Sequence, residues 1–336
     1  MRDSVQLQIG SVTIENFLSY SIASDIYTAD DAFSVELGRP EFEVPLGSEC
    51  TLKVNRVPVM SGIVDSVTKS YSKSGRSYSI AGRDLMSLAV DSYCENFISL
   101  AGKRLADIAK SLFETVPILN RKPIVYDAGI ERLSVPATFE AVSPGQTVFQ
   151  VLRDIATSRG VLFYCRPDGT IVFSRPKSSG SAPFSVRVTA QGNESGVIEG
   201  RAVRSCAQHY RKIIVIGQKQ GGEDDSPEDI NILETITDDE APIAKTIVVT
   251  TTDGEAPQKI GAVIKEQNRY QAYQYEYTFA GHTQRGHVWR PEMFCQVFDD
   301  ELGIQQPLYI YGCDYSMSKS DGVRTTVRMG LPGVMV

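Results

Sequence analysis

Three histidines, His209, His282 and His287, are the only imidazoles in the chain. Imidazole acts as general base, proton shuttle or metal ligand, so its placement sets which chemistry is open. Four residues separate His282 from His287 in a segment bounded by Gly281 and Gly286, which is not the spacing of one helical face, and no third ligand lies nearby. The acid pairs Asp224-Asp225 and Asp238-Asp239 fall in an acid-rich stretch. General acid/base work requires carboxylates held rigidly with shifted pKa values, so these read as solvated charge. Neither a phosphate-cradling P-loop, a dinucleotide fingerprint nor a Gly-x-Ser-x-Gly turn is present. The six cysteines, at 50, 94, 165, 206, 295 and 313, include no close metal-type pair and read as buried free thiols. Trp289, followed by Arg290 and Pro291, reads as an anchor of core or domain junction, with a sugar-stacking platform as the alternative. Tyr273, Tyr275, Tyr277 and Phe279 share one face of a strand without interleaved Arg or Lys, which suits packed sheet better than base stacking. The chain is expected to be no enzyme, with no catalytic residue, no metal and no cofactor.

Composition agrees with a folded globular protein. Of 336 residues, 42% are hydrophobic and 22% charged, near the globular average. The net charge of −7 is concentrated: nine of the 41 acids lie in residues 220–244, which hold no Lys or Arg, and the remaining 32 face 34 bases. Global charge therefore reports one segment. Residues 220–242 carry little apolar surface and are expected to form mostly a surface loop. Apolar runs stay far below the ~20 residues of a membrane helix, and residues 5–9 alternate where a signal peptide would be continuously apolar. Stable membrane insertion is not expected, and folding in a cytoplasm is.

The elements follow from hydrophobic period. Phe33, Val35 and Leu37, and then Cys50, Leu52 and Val54, alternate with polar residues, and turns at Asn55-Arg56 and residues 72–75 make two successive hairpins. Period three-and-four takes over at Leu105, Ile108, Ala109, Leu112, Phe113 and Val116, a helix closed by Pro117. A second helix is expected from Ser143 as N-cap, with Pro144 first, Gln146 completing a capping box, and Gly160 past its end. A hairpin turning at residues 166–169 follows. Further on, a strand at 247–251, a helix from Pro257 with Ile260, Val263 and Ile264 inward, and the tyrosine strand suggest an inserted unit.

The expected fold is mainly β with α/β additions (α+β). A first tube-like antiparallel β-barrel spans 1–97, an α/β domain 98–181, a second tube-like β-barrel 182–235 with 291–336, and a small inserted α/β module 236–290. The two barrels echo each other. Residues 62–82 and 312–330 each run Gly, then Asp, a strand, an S-K-S(-D)-G turn and an alternating return strand. Gly62, Asp65, Gly75 and Gly82 in the first, and Gly312, Asp314 and Gly322 in the second, together with Trp289 and Pro291, are the structural turn and motif positions; the glycines read as backbone devices rather than binding residues.

Residues 59–84, V-M-S-G-I-V-D-S-V-T-K-S-Y-S-K-S-G-R-S-Y-S-I-A-G-R-D, followed by L-A-V-D at 88–91, resemble the first barrel of baseplate hub proteins of Mu-like contractile-tailed bacteriophages. S-P-G-Q-T-V-F-Q-V-L-R-D-I-A-T-S-R-G-V-L-F-Y, I-I-V-I-G-Q and W-R-P-E-M-F-C-Q-V-F-D-D-E-L-G-I follow the same family pattern in order, whereas the acidic 220–244 stretch does not. The resemblance implies a homotrimer in the virion tail baseplate, assembled in the host bacterial cytoplasm. Its partners would be a tail tube or distal tube protein, a central spike protein and possible baseplate wedge components. Two barrels per chain would make six in a ring, matching a six-fold tube to a three-fold spike. DNA would pass through the lumen without specific binding, because a neutral or acidic wall does not hold phosphates. Two alternatives stand beside this: the hub of a phage-tail-like injection particle, and a cell-wall hydrolase or sugar-binding tail component.

Overall fold

The computed structural model describes residues 3–38, 42–73, 75–95, 98–135, 141–142, 145–218, 231–251 and 257–335. The first seven strands are β1 (Val5–Ile9), β2 (Val12–Ile14), β3 (Ser19–Asp25), β4 (Ala32–Leu37), β5 (Glu49–Val54), β6 (Val57–Ser72) and β7 (Gly75–Asp84). Next come α1 (Ser87–Asp91), α2 (Leu105–Phe113), β8 (Ile124–Tyr126), α3 (Val148–Ser158), β9 (Leu162–Cys165) and β10 (Ile171–Ser174). The rest of the chain holds β11 (Phe184–Thr189), β12 (Gly192–Asn193), β13 (Val197–Arg204), β14 (Lys212–Gln218), β15 (Asn231–Thr237), β16 (Thr246–Thr251), α4 (Pro257–Ala272), β17 (Tyr273–Ala280), β18 (Thr283–Gln284), β19 (His287–Val288), β20 (Phe294–Asp299), β21 (Ile304–Ser318) and β22 (Gly322–Gly330). The protein is mostly β. Among the described residues no helix is long and apolar enough to cross a membrane.

Strict alternation drives the strands. β1 buries Val5, Leu7 and Ile9 and turns Gln6 and Gln8 outward, and β5 likewise buries Cys50, Leu52 and Val54. Fourteen strands join one sheet, in the order β12-β11-β20-β21-β3-β4-β7-β6-β5-β1-β2, with β22, β17 and β13 branching from β21. The strands of the two expected tube-like barrels join one branched sheet over one shared core, and among the described residues no closed sheet is found. The reason is the length of β21. Its first half pairs β20 from Ile304 to Tyr309, and its second half pairs β3 from Gly312↔Asp25 to Met317↔Tyr20, which ties the two ends of the chain together. Core residues from both halves, including Ile22, Val35, Ile80, Tyr277, Trp289 and Tyr315, form one cluster.

Within that sheet the order repeats. β3-β4-β7-β6-β5 and β13-β17-β22-β21-β20 are neighbours in the same sequence, and chain order within each set agrees as well. The connection between β13 and β17 is the one that carries the inserted unit. That unit is a separate three-stranded sheet, β15-β14-β16, backed by α4. Residues 212–218 and 231–235, assigned from sequence to the second barrel, pair within this sheet. The loop expectation fails at Asn231–Thr237, where all seven residues of β15 pair with β14. The acids around it masked an alternating strand. Residues 219–230 lie outside the described residues. In α4 the tightest approach is at Gly261, where a Cβ would stand 2.5 Å from Ile236; Ile260, Val263 and Ile264 are only half-buried.

The α/β region has its own core, built by α2 and α3 against β8-β10-β9, with Phe163 stacked on Phe149 at 5.5 Å and on Phe173 at 4.7 Å. Helix α3 begins later than the sequence suggested. The N-cap is Thr147, whose hydroxyl accepts from the Gln150 backbone N–H while the Gln150 side chain accepts from the Thr147 N–H. This capping box lies four residues beyond the expected Ser143/Gln146 pair; Ser143 and Pro144 lie outside the described residues.

Candidate functional site

Two long hairpins, β6–β7 and β21–β22, carry matched ion pairs. Arg83, opposite Ile63, reaches Asp65 at 2.8 Å, Asp30 at 3.0 Å and Asp91 at 2.6 Å. Arg328, opposite Gly312, pairs with Asp25 at 2.9 Å and with Asp314. In each hairpin the aspartate stands two residues beyond the arginine's cross-strand partner. Arg83 therefore corresponds to Arg328 and Ile63, not Gly62, to Gly312, and Asp65 makes with Arg83 the ion pair that Asp314 makes with Arg328. The register of β6 shifts between Val64 and Ser66, so Asp65 is the extra residue of a bulge.

The glycines serve this geometry in different ways. A Cβ on Gly62 would overlap the Arg83 carbonyl, and one on Gly82 would overlap the Ile63 carbonyl and the Phe33 ring. A Cβ on Gly312 would stand 2.7 Å from both Arg328 Nε and Asp25 Oδ2, so its absence makes room for the ion pair. Gly75 and Gly322 sit in the turns with φ of +142° and +70°.

Beneath the arginines lie buried acids. The Asp25 N–H donates to Asp31 Oδ2 at 2.5 Å, the Asp84 N–H donates to the Asp31 carbonyl, and Asp84 Oδ1 accepts from the Met86 and Ser87 N–H groups. Burial pushes the Asp31 carboxyl up to about 8 from its ordinary 3.8, with the Asp25 N–H opposing and the Asp25 charge reinforcing the rise. Burial likewise raises Asp84, with Asp31 as the next cause. A raised acid binds its proton in the folded chain where the unfolded chain has lost it, so stability falls as pH rises from about 4 to about 8. Asp31→Asn is expected to flatten that slope and to exceed the parent in stability at pH 9, on the order of 3 kcal/mol in urea titrations. An unchanged slope would show that Asp31 is ionised throughout.

A second buried charge group joins the α/β region to the sheet. Glu292, which follows Pro291 and holds φ of +66°, accepts from Arg166 Nε at 2.7 Å, Arg166 Nη2 at 2.9 Å, the Tyr164 hydroxyl at 2.6 Å and Lys177 Nζ at 3.0 Å. Burial opposes ionisation, but the Arg166, Tyr164 and Lys177 contacts overcome it and hold the carboxyl down at about 2. Nearby, Trp289 is fully buried and stacked between Phe184 at 4.1 Å and Phe279 at 4.4 Å, and its carbonyl accepts from the Tyr315 hydroxyl.

These placements leave no sugar platform at Trp289. Tyr275, Tyr277 and Phe279 are core as well. Asp238 is buried against His209 at 2.9 Å, while Asp224 and Asp225 lie outside the described residues. His282 uses both ring nitrogens, on Tyr20 and Thr325 at 2.7 Å each, and burial pulls it down to about 4, a neutral ring; His287 is exposed on β19. Cys50, Cys94, Cys295 and Cys313 are buried, and Cys206 is exposed. Among the described residues no cluster of His, Cys, Asp and Glu could hold a metal.

On the sheet across β3, β4, β21, β22 and β17 lies an open depression of about 550 Å³ whose lining includes Ser21, Ser34, Thr278, Thr326 and Glu276. Sequence reading found Asp65 and Asp314 but missed Arg83, Arg328 and Glu292. Had the return strands A-G-R-D and V-R-M-G been aligned on their arginines, the first two would have been visible. Nothing local marks Glu292, whose partners lie 115 to 128 residues away.

Residues 4–84 match a family model described as Mu phage baseplate assembly protein GpP-like, N-terminal. Curated protein sequences gave no match. Among solved structures, the tail protein from Neisseria meningitidis MC58 is similar over 99% of this chain and 98% of that one, with a TM-score of 0.83 at 24% identity. The 43 kDa tail protein of prophage MuSo2 from Shewanella oneidensis matches over 99% and 100%, with a TM-score of 0.79 at 19% identity. The E. coli c3393 protein, a component of the type VI secretion system, matches over 97% and 76%, with a TM-score of 0.62 at 10% identity. At these identities the structures speak for the fold, and the family model speaks for the first seven strands. Residues 4–84 are thus similar to the N-terminal part of Mu phage baseplate assembly proteins, and the chain as a whole shares the fold of the two tail proteins.

Proposed function

We propose that the protein is the baseplate hub of a contractile tail. Three copies form a ring whose six similar barrel units adapt the six-fold tail tube, or a distal tube protein, to the three-fold central spike, with baseplate wedge components as further contacts. The ring assembles in the host bacterial cytoplasm and encloses part of the DNA channel. In this reading residues 1–97 form the first barrel unit, 98–181 the α/β domain and 182–336 the second barrel unit, with the insertion drawn around β14, β15, β16 and α4.

The observation that carries the proposal is the repeated five-strand order with its matched pairs, Asp65–Arg83 and Asp314–Arg328. Two like units in one chain are what converts three-fold into quasi-six-fold symmetry. The Ser/Thr-rich depression, with Glu199, Glu276 and Asp321 against Arg324, suits a channel wall that does not hold phosphates. The test is native mass in near-physiological salt. Three copies of a 36.9 kDa chain give about 111 kDa, the expected value. A monomer over a wide concentration range would remove the self-assembling hub.

A further inference from the structure

Two tight hairpins carry arginine where the backbone favours a smaller residue. β5 turns into β6 through Asn55-Arg56, flanked by the Val54↔Val57 pair, and β18 turns into β19 through Arg285-Gly286, flanked by Gln284↔His287. All four turn residues hold positive φ, +49° and +69° in the first and +53° and +82° in the second. A two-residue loop with both φ values positive is a type I′ turn, which favours Asn or Asp followed by Gly. Asn55 and Gly286 follow that preference, whereas Arg56 and Arg285 break it. A long side chain gains nothing from the left-handed region, so an arginine held there calls for a use of its charge.

The two turns come together. Asp3 bridges them, accepting from Asn55 Nδ2 at 2.7 Å and from the N–H of His282, the residue before β18, at 2.6 Å. A cavity of about 280 Å³ is bordered by Val57, which follows Arg56, and by Gly286 and His287, which follow Arg285. A second cavity of about 360 Å³ adjoins it, sharing Val57, Arg290 and Met293, and reaches Arg166, Lys177 and Glu292. The resulting groove has an apolar floor, where Val57, Pro58, Pro183 and Met293 are half-buried and leave carbon at the surface. Its rim is cationic. Arg56, Arg285 and Arg290 are exposed, and among the described residues none of the three is in an ion pair. Arg166 and Lys177 set two charges against the one of Glu292, Asp168 accepts from the Thr170 N–H, and Asp3 is taken by Asn55, His282 and Thr283. Five bases thus stand against three acids, each already partnered, in a chain whose net charge is −7.

We infer that this groove docks an acidic segment of a partner protein, with an apolar residue seated against Val57 and Met293 and carboxylates on Arg56, Arg285 and Arg290. Charge complementarity selects the acid, since guanidinium groups without a partner take carboxylates bidentately. The half-buried carbon supplies the anchor that a bare charged patch lacks. A nucleic acid fits less well: Phe184 in the groove wall is buried and His287 stands edge-on to it at 6.4 Å, which leaves no flat exposed platform for bases. This docking is independent of ring formation.

The test uses the full chain and a short fluorescein-labelled peptide of Glu and Asp around a central Leu-Leu pair, titrated by fluorescence polarisation in near-physiological salt. Saturable binding of one peptide per chain is expected. Arg56→Gly combined with Arg285→Gly should weaken it by about tenfold while the melting temperature stays level or rises, because glycine suits both turns. Binding lost without loss of stability separates charge used for docking from charge used for folding. Arg290→Glu should weaken binding further, and so should a peptide with Gly-Gly in place of Leu-Leu. The proposal is overturned by the absence of saturable binding, or by binding that the arginine variants leave unchanged. Equal affinity for the Gly-Gly peptide also overturns it, since the groove is then only a charged patch. Tighter binding of a single-stranded oligonucleotide of the same net charge, lost in the same variants, overturns it in favour of nucleic acid.

Discussion

Replacing Glu292 with alanine is expected to cost roughly 3–5 kcal/mol of stability, the largest loss from any single charge removal in this chain. The argument is desolvation. Glu292 is mostly buried and is the shared acceptor for Arg166, Lys177 and Tyr164, so its loss leaves a guanidinium and an ammonium facing each other without a counter-charge. It also unfastens β9 and the turn after it from the segment before β20, because the clamp spans that boundary. Urea denaturation read by Trp289 fluorescence measures the loss. The contribution has a pH signature: with the carboxyl held at about 2 against an ordinary 4.5, it is complete above about 4.5 and fades as pH falls toward 2. A Glu292→Gln variant should remove this acid-side slope while keeping part of the hydrogen bonding. A loss under about 1 kcal/mol in the alanine variant would place the group in solvent, where ion pairs are worth that little.

Gly82→Ala is expected to destabilise by about 3 kcal/mol or more and to lower soluble yield, although one methyl group is the smallest possible addition. The added carbon meets backbone and not a movable side chain: the Ile63 carbonyl stands in its place, with the Phe33 ring 2.7 Å away. Relief requires parting β6 from β7 beside the Asp65 bulge, which also disturbs the Arg83 ion pairs. Gly75→Ala is the informative control. Gly75 has open space around it and only its positive φ to lose, so a smaller cost of about 1 kcal/mol is expected there. Equal effects at the two positions would mean that close packing at Gly82 is relieved by small shifts.

Much of the organisation was legible locally because its causes are local. Period-two alternation announced β1, β4, β5 and β7, and the three-and-four spacing of Leu105 to Phe113 announced α2. The echo of residues 62–82 in 312–330 pointed to a repeat, since turn chemistry and Gly-Asp spacing are read along the chain. Capping was harder. Ser143/Gln146 and Thr147/Gln150 offer the same chemistry one turn apart, and the box that formed is the one that buries Val148, Val151 and Leu152 against α2. The strand β15 was hidden because it lies in an acid-rich stretch, although Glu234 is its one acid, and β14 had already been read as a strand whose partner no local pattern names.

By itself, then, the sequence determined the strand-rich class, the helices of the α/β region, the turns at Gly75 and Gly322, the absence of a recognisable catalytic motif, and the resemblance to Mu-like baseplate proteins. Tertiary structure alone decided that β21 serves two partners, that the two halves share one sheet and one core, and that Asp65 and Asp314 answer to Arg83 and Arg328. It alone gathered Tyr164, Arg166, Lys177 and Glu292 into one clamp. The reason is physical. Period and turn chemistry act within a few residues, whereas pairing between strands some 290 residues apart, as in Tyr20↔Met317, is set by which apolar faces can be buried together.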